Sequence, residues 1–306
     1  MCSTENRVSA NQISQALSTI RLQTYADAMI ETLNTEQTKS SDTRNAKLRL
    51  FEHGIKHQIF GAKWLSTVRL FLYGLTTIII LPFQLLALLT CLPLSISIPV
   101  LHHKLVTKII GLKIDRVGDI SRDKKVLFVS NHLSYLDIII LGSLIPGRFI
   151  AKSEVANWPI FGFLSKITRT IFIRRDRKAS HDQVRLIKEQ LDRCEKLILF
   201  PEGTSSDGRR VLPFKSPLFD AAMLTNSIVQ PITIRYTHLN GIPVGYSSRS
   251  LFGWYGDMDL RPHLWNALSL GIFTIEVVFH EPIRADQFSN RKKLAVYCQK
   301  IVAKGL

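Results

Sequence analysis

The sequence has few cysteines, and none of them lies in a pattern that indicates a disulfide or a metal site. Among 306 residues there are four, Cys2, Cys91, Cys194 and Cys298, far apart and without a Cys-x-x-Cys pair. A disulfide framework and a cysteine-based zinc site both depend on organised cysteine spacing. Neither is predicted, and this usage fits a reducing compartment.

Acidic residues are also scarce relative to basic ones. The sequence has 24 Asp and Glu against 40 Lys and Arg, a formal net charge of +16. Such a charge predicts a polyanionic partner, such as nucleic acid, an anionic membrane or a phosphorylated substrate. The basic residues form separate clusters rather than one tail: Arg122/Lys124/Lys125, Arg174/Arg175/Arg177/Lys178 and Arg209/Arg210/Lys215.

Several functional signatures are missing from the sequence. No Gly-x-Ser-x-Gly elbow is found, so a serine acyl-enzyme is not indicated. There are no paired metal-binding carboxylates and no nucleophilic cysteine beside an arginine loop, which argues against a phosphatase or hydrolase and predicts no metal. No RNA- or DNA-binding signature accompanies the basic clusters, so nucleic acid is not an expected partner.

Charge is absent from one long apolar stretch. Residues 70–101 contain no Asp, Glu, Lys or Arg, and Arg69 and Lys104 bracket them. The stretch exceeds the roughly 20 residues that a helix needs to cross a bilayer, and few soluble core helices are this apolar on every side. Three prolines would kink or break a straight helix: Pro82, Pro93 and Pro99. Membrane association is predicted, either as one spanning helix of about residues 68–90 or as a bent helical pair in one leaflet.

The chain divides into three predicted parts. Residues 1–64 form a polar, partly helical extension without the basic-then-apolar start of a secretory signal peptide, and residues 38–43 within it are typical of a linker. Residues 65–104 form the membrane-anchoring helical segment, and residues 105–306 form a folded α/β domain. No chemistry is assigned to the first part.

Strands and helices alternate from about residue 105 onward. Apolar strand-like runs are predicted at residues 126–130, 147–152, 169–173, 197–200, 228–236 and 273–279. Helical patterns are predicted at residues 134–143, 181–194, 217–224 and 290–303. This alternation predicts an α/β fold with a mixed, largely parallel sheet flanked by helices, in which ligands bind at the strand ends.

The most informative stretch joins a predicted strand to a predicted helix. Ser134, followed three residues later by Asp137, predicts a capping box and a helix that starts near Ser134. His132 then lies in the preceding loop, near a carboxylate that can hold one of its ring nitrogens. The other nitrogen would remain basic, which suits a general base. A chance match is also compatible with this motif alone, because Asp137 can simply cap the helix.

Two further strand ends carry polar or charged groups. One strand ends in Pro201-Glu-Gly-Thr-Ser205, where a glycine permits a tight turn or a close approach to a ligand. Another runs through Thr170-Ile-Phe-Ile-Arg-Arg175, and arginine binds phosphate through two parallel hydrogen bonds. Taken alone, the first is compatible with an ordinary turn. The second is compatible with a solvated basic loop or with a contact to lipid headgroups.

Together these segments resemble the four blocks of the glycerolipid acyltransferases, the 1-acylglycerol-3-phosphate acyltransferase family. The matching residues are Asn131-His-Leu-Ser-Tyr-Leu-Asp137, Thr170-Ile-Phe-Ile-Arg-Arg175, Phe200-Pro-Glu-Gly-Thr204 and Pro231. The resemblance covers about residues 65–280, and residues 254–265 resemble a segment of bacterial members. It implies an acyltransferase that uses acyl-CoA or acyl-carrier protein as co-substrate and needs no other cofactor.

The resemblance also implies roles for individual residues. His132 would be the catalytic base and Asp137 its partner, and Arg175 would bind the acceptor's phosphate. The substrate-binding residues would be Arg175, Glu202, Gly203, Thr204 and Lys215. Two departures from the family stand out: Arg169 replaces a glycine that opens the second block in many members, and Phe214-Lys-Ser-Pro217 replaces the commoner Phe-Lys-Lys-Gly.

The reaction implied by the resemblance is a direct transfer of the acyl group to a lysolipid hydroxyl. The expected acceptor is 1-acyl-sn-glycerol 3-phosphate, which would give phosphatidic acid. The altered stretch after Lys215 keeps an alternative open, lyso-ornithine lipid or another lysophospholipid. A non-enzymatic basic membrane adaptor is a further interpretation. The expected location is an inner or cell membrane with anionic lipids as partners and the α/β domain on the cytoplasmic side, where acyl thioesters are made.

Overall fold

The computed structural model describes residues 62–174 and 180–306, and its secondary structure alternates as predicted. The strands are β1 (Leu112–Val117), β2 (Val126–Ser130), β3 (Arg148–Lys152), β4 (Ile171–Ile173), β5 (Lys196–Leu199), β6 (Ile228–Leu239), β7 (Ile242–Pro243), β8 (Phe273–Phe279) and β9 (Ile283–Arg284). The helices are α1 (Lys63–Leu89), α2 (Leu94–Ile110), α3 (Leu136–Leu144), α4 (Phe161–Ile167), α5 (Ser180–Asp192), α6 (Phe219–Leu224), α7 (Leu260–Ser269) and α8 (Arg291–Lys304). Short 3-10 turns lie at Ser153–Asn157, Tyr246–Leu251 and Ala285–Gln287.

The strands form one mixed sheet, with the order β1-β8-β6-β2-β5-β3-β4. The central run β6-β2-β5-β3-β4 is parallel throughout. Strand β8 is antiparallel to β6 and parallel to β1, so these two outer strands run the other way. The carboxyl ends of β2, β3, β4 and β5 therefore meet at one edge, where an open α/β sheet places its ligands.

Strand β2 lies in the middle of the sheet, and its side chains are buried on both faces. Val126 and Phe128 belong to the core on the side of α2 and α3, whereas Leu127 and Val129 belong to the core under α5, α6 and α8. The period of two sends successive side chains to opposite faces. A continuous apolar run is what a parallel strand covered by helices on both sides requires, and the predicted α/β class is confirmed.

The apolar stretch is divided between α1 and α2, and α1 covers the helix predicted at about residues 68–90. Helix α1 continues through Pro82 and α2 through Pro99, and the break falls between them at the turn that precedes α2, where Pro93 is the N-cap. Helix α1 is the one helix in the described part of the chain long and apolar enough to cross a membrane by length and composition. The pair belongs to the same compact unit as the sheet.

Helix α1 is anchored to the α/β domain at its first turns. Arg69 is buried and donates to the carbonyls of Leu268, Leu270 and Gly271 at the end of α7. A cation there satisfies carbonyls that the helix leaves unpaired and complements its dipole. The hydroxyl of Ser66 donates to the carbonyl of Trp265 at 2.9 Å. The apolar helix thus begins at a defined position on the domain.

Several elements differ from the sequence predictions. Strand β1 and helices α4 and α7 were not predicted, and β4 starts at Ile171 rather than at residue 169. The amphipathic helices and linker predicted for the N-terminal extension lie outside the described residues. Arg169 has a φ of 62°, in the left-handed region that glycine adopts without steric cost. Arg169 therefore has a backbone conformation that suits glycine, the residue that many members of the resembled family have at this position.

Candidate active site

The centre of the site is a hydrogen bond between His132 and Asp137. His132 Nδ1 lies 2.9 Å from Asp137 Oδ2, and the carboxylate is fully buried whereas the His132 side chain is 19% exposed. An ionised carboxylate only accepts hydrogen bonds, so Nδ1 carries the proton and Nε2 is left as the basic nitrogen. The pairing expected from the sequence is present.

Asp137 is held by four donors. Its Oδ2 accepts the backbone N–H groups of Leu133 at 2.7 Å and Ser134 at 2.9 Å as well as His132, and its Oδ1 accepts the Tyr236 hydroxyl at 3.0 Å. These contacts modify the predicted capping box. The helix begins at Leu136 rather than Ser134, and the Asp137 N–H donates to the Ser134 carbonyl instead of its hydroxyl. The carboxylate thus orders the loop that carries His132.

The imidazole plane is set by an aromatic neighbour. The rings of His132 and Phe200 are stacked, with centroids 4.1 Å apart and an interplanar angle of 15°. Phe149 stacks behind Phe200 at 6.2 Å. Because Phe200 directly follows β5 and His132 lies just beyond β2, the parallel pairing of these strands brings the two rings together.

Glu202 supports the loop from behind. Its Oε1 accepts the His132 backbone N–H at 3.0 Å and its Oε2 accepts the Leu212 N–H at 3.2 Å. The side chain is buried, and this burial raises the pKa of Glu202 to about 8, with the charge of Asp137 adding to the shift. Glu202 does not line the cavity described below, so its geometry suits positioning of His132 rather than contact with an acceptor.

Three other residues predicted to bind substrate do face the site. Gly203, Thr204 and Lys215 line the same cavity as His132. Gly203 has a φ of 70°, and its N–H closes a turn to the Phe200 carbonyl at 3.0 Å, which a side chain at this position would strain. The Lys215 backbone N–H donates to the Pro201 carbonyl at 2.8 Å, which holds the segment of Lys215 against the third block.

The remaining two residues singled out from the sequence are Arg175 and Pro231. Arg175 lies outside the described residues, two positions beyond the end of β4 at Ile173. Pro231 lies inside β6, paired with Val129 of β2, and does not line the cavity. The fourth block thus contributes the strand next to His132 rather than a surface of the site.

A cavity of about 1040 Å³ extends from His132 towards the helical pair. Beyond the polar strand ends its lining is largely apolar and includes Leu81 of α1, Val106 of α2 and Ile139 of α3. This volume lies at the upper end of the range for small-molecule pockets. The cavity therefore offers an apolar compartment for a fatty acyl chain beside a basic nitrogen.

Sequence reasoning missed three supporting groups. Tyr236 lies 99 residues after Asp137, and Phe200 was part of a recognised block without an assigned role. The third is the loop at Trp254, whose N–H donates to the Leu133 carbonyl at 2.9 Å and whose carbonyl accepts the Ser205 hydroxyl. Only its resemblance to a bacterial segment pointed to this loop.

Comparisons with known proteins point to acyltransferases. The Acyltransferase family model matches residues 112–235. The lyso-ornithine lipid O-acyltransferase of Brucella abortus is 37% identical over 243 residues, 76% of this chain and 91% of the relative. The enzyme of the same name from Rhizobium meliloti is 35% identical over 76% of this chain and 83% of its own length. The 1-acyl-sn-glycerol-3-phosphate acyltransferase of Neisseria meningitidis is 33% identical over 56% of this chain and 64% of its own length.

A solved structure agrees at the level of the fold. The crystal structure of the 1-acyl-sn-glycerophosphate acyltransferase of Thermotoga maritima has a TM-score of 0.61 and 22% identity, and covers 79% of this chain and 93% of that chain. Together with the family model and the relatives above, it confirms the resemblance inferred from the four blocks. This chain belongs to the acyltransferase family that contains the lyso-ornithine lipid and 1-acyl-sn-glycerol-3-phosphate O-acyltransferases, and it is a lysolipid acyltransferase.

Proposed function

We propose that this acyltransferase acylates the hydroxyl of lyso-ornithine lipid. Of the acceptors considered from the sequence, lyso-ornithine lipid is the one that the relatives with 35–37% identity over most of the chain support. The altered residues after Lys215 support the same choice, since an ornithine headgroup presents a carboxylate in place of a phosphate. Lys215 and Arg175 are the proposed partners of that anion.

The observation that carries the proposed chemistry is the His132–Asp137 pair beside the apolar cavity. Nε2 takes the proton of the acceptor hydroxyl while that oxygen attacks the thioester carbonyl. The new ester C–O bond forms, the C–S bond breaks, and the proton passes from the imidazolium to the departing thiolate. General-base catalysis of this kind contributes about 10²–10⁴-fold, and holding both reactants in place contributes further.

The proposed donor is a fatty acyl thioester of coenzyme A or acyl-carrier protein. Both carry negative charge, and the protein's net charge of +16 favours their approach. The proposed location is the cytoplasmic face of the membrane, where such thioesters are made and where anionic headgroups attract nearby basic residues by about 1 kcal/mol each. Acylation at the membrane surface also avoids extracting the lipid acceptor and product into water.

The experiment is a substrate panel with purified protein in detergent. Labelled acyl-CoA and acyl-carrier protein are each offered with lyso-ornithine lipid, 1-acyl-sn-glycerol 3-phosphate and a neutral lysophospholipid. The proposal expects the highest kcat/KM with lyso-ornithine lipid. Preference for 1-acyl-sn-glycerol 3-phosphate would assign the other acceptor, and no turnover with any of them would remove the proposed chemistry.

A matched pair of histidine variants tests the base. His132→Ala is expected to lose turnover by about 10²–10⁴-fold while retaining lipid binding. His181→Ala, on the exposed side of α5, is expected to leave turnover unchanged. If the protein is instead a membrane adaptor without catalysis, neither change should alter its activity.

A further inference from the structure

Aromatic side chains form one wall of the cavity next to the histidine loop. Tyr135, Trp158 and Trp254 all line it. The indoles of Trp158 and Trp254 meet at 85° with centroids 5.8 Å apart, and Tyr135 meets Trp254 at 61° and 6.1 Å. Rings at such angles present π surfaces in more than one direction. This corner of the cavity therefore offers aromatic surface to a small group.

The polar atoms of two of these rings already have partners. The Trp254 indole N–H donates to the Met258 carbonyl at 2.8 Å, and the Tyr135 hydroxyl lies 3.1 Å from His263 Nδ1. These bonds fix the orientation of both rings. They also leave ring surface, rather than hydrogen-bond donors, as what these side chains offer to a ligand. A cation is the polar group that binds favourably to such a surface.

An exposed carboxylate lines the same cavity, on the segment that carries Trp158. Glu154, in the 3-10 turn at Ser153–Asn157, precedes Trp158 by four residues and lines the same cavity. It is the one acidic residue among the described residues of the lining. An acid is unhelpful to a phosphate or carboxylate headgroup, because it repels both. Together with aromatic faces it makes a site for an ammonium group.

We infer that Trp158, Trp254 and Glu154 form a subsite for the side-chain ammonium of the acceptor headgroup. This inference rests on the proposed acceptor, since ornithine carries that ammonium and 1-acyl-sn-glycerol 3-phosphate carries no cation. The subsite adjoins the reacting centre, because the Trp254 N–H is bonded to the carbonyl of Leu133, the residue after His132. With Lys215 on the anion, the cavity would recognise both charges of a zwitterion.

The test compares two acceptors that differ only in charge. Wild-type protein is assayed with lyso-ornithine lipid and with the same lipid acetylated on its side-chain amine. We expect kcat/KM to be about tenfold higher for the charged acceptor, mainly through KM, since a cation–π contact and an ion pair of modest strength together amount to about one factor of ten.

Variants then locate the effect. Glu154→Gln and Trp158→Leu are expected to lower kcat/KM about fivefold to tenfold for the charged lipid and less than twofold for the acetylated one. Trp158→Phe, which keeps a π face, is expected to retain most of the preference. Glu281→Gln, an exposed carboxylate outside the cavity lining, is the matched control and should change neither substrate.

The outcomes separate this inference from the proposed function. If wild-type protein acylates the charged and acetylated lipids equally well, the subsite is overturned while the acceptor stands. Equal losses for both lipids in the Glu154 and Trp158 variants would likewise show a structural role only. If wild-type protein uses 1-acyl-sn-glycerol 3-phosphate and not lyso-ornithine lipid, the proposed acceptor fails and the subsite fails with it.

Discussion

At the scale of single residues, the site is organised by one buried carboxylate. Asp137 accepts hydrogen bonds from two backbone N–H groups, an imidazole and a phenol. A buried carboxylate is costly unless its lone pairs are satisfied, and here the partners that satisfy it belong largely to the loop it orders. The same hydrogen bonds to Asp137 therefore both orient His132 and fold the loop that carries it.

The Tyr236 bond is expected to serve stability more than turnover. The pKa of Tyr236 is raised by burial and by the neighbouring Asp137 charge, so the phenol remains a donor. Tyr236→Phe leaves Asp137 Oδ1 without this partner and is expected to lower the free energy of unfolding by about 1–3 kcal/mol. Because the bond from His132 to Oδ2 remains, kcat should fall less than tenfold.

Denaturant unfolding in detergent and steady-state kinetics check this prediction. Tyr297→Phe, on a partly exposed ring of α8, is the control and should change neither quantity. A loss of kcat as large as that of His132→Ala would instead assign Tyr236 a direct part in proton transfer.

Glu202 is expected to make stability depend on pH. Its pKa is raised to about 8 by burial, so the folded protein binds this proton more tightly than the unfolded chain does. The resulting stabilisation is complete below about pH 4.5 and is lost as pH rises through 8. At about 1.4 kcal/mol per tenfold change in proton affinity, the loss is on the order of 5 kcal/mol.

Glu202→Gln removes this proton equilibrium. The variant's free energy of unfolding should therefore rise relative to wild type as pH increases from 5 to 9, and unfolding curves across that range measure it. Parallel pH profiles for the two proteins would contradict the predicted titration. Asp286→Asn, at an exposed carboxylate paired with Arg284, controls for general charge effects.

At the scale of elements, α2 and α3 approach closely at a glycine. A Cβ on Gly142 of α3 would lie 2.7 Å from Cε1 of the His103 ring in α2. Gly142→Ala is therefore expected to force the helices apart and cost about 1–3 kcal/mol of stability, as overpacking does. Because α2 also lines the cavity, KM for the acceptor should rise.

Gly74 provides the comparison for this change. It lies in α1, and a Cβ added there would have no neighbouring atom within 4 Å. Gly74→Ala should therefore be neutral or slightly stabilising, since alanine favours helix over glycine. Thermal unfolding of both variants measures the difference. Equal midpoints would show that the His103 ring moves aside at no cost.

At the scale of the whole molecule, one face is apolar and exposed. Phe71, Ile78 and Leu86 of α1 are all more than half exposed, although the opposite face of the sheet is covered by α5, α6 and α8. An exposed patch of this kind marks a membrane or protein contact. For a lysolipid acyltransferase, the membrane is the contact that also supplies the acceptor.

Lysines on this face are expected to release the protein from membranes. Each lysine placed near the centre of a membrane-inserted helix costs about 2.5–3.5 kcal/mol. The double variant Phe71→Lys, Ile78→Lys should therefore stay at the bottom of a density gradient instead of floating with liposomes. Turnover of acceptor presented in detergent should persist. Leu186→Lys combined with Val296→Lys, on exposed apolar residues of α5 and α8, should leave flotation unchanged.

The sequence by itself determined the family, the α/β class, the apolar helical segment and the pairing of His132 with Asp137. These features depend on local patterns: a continuous apolar strand, a five-residue offset and a charge-free stretch. Arg169 has a positive backbone φ, a conformation that suits glycine better than arginine. Its guanidinium lies 2.5 Å from Glu195, an ion pair that the sequence pattern did not indicate.

The tertiary structure alone decided which distant groups support the site. Tyr236, Phe200 and the Trp254 loop reach the segment from His132 to Asp137 because strands far apart in sequence are neighbours in the sheet. It also gave Glu202 a contact with the His132 backbone N–H that the sequence pattern did not indicate. Such contacts depend on strand order and register, which no local pattern of residues encodes.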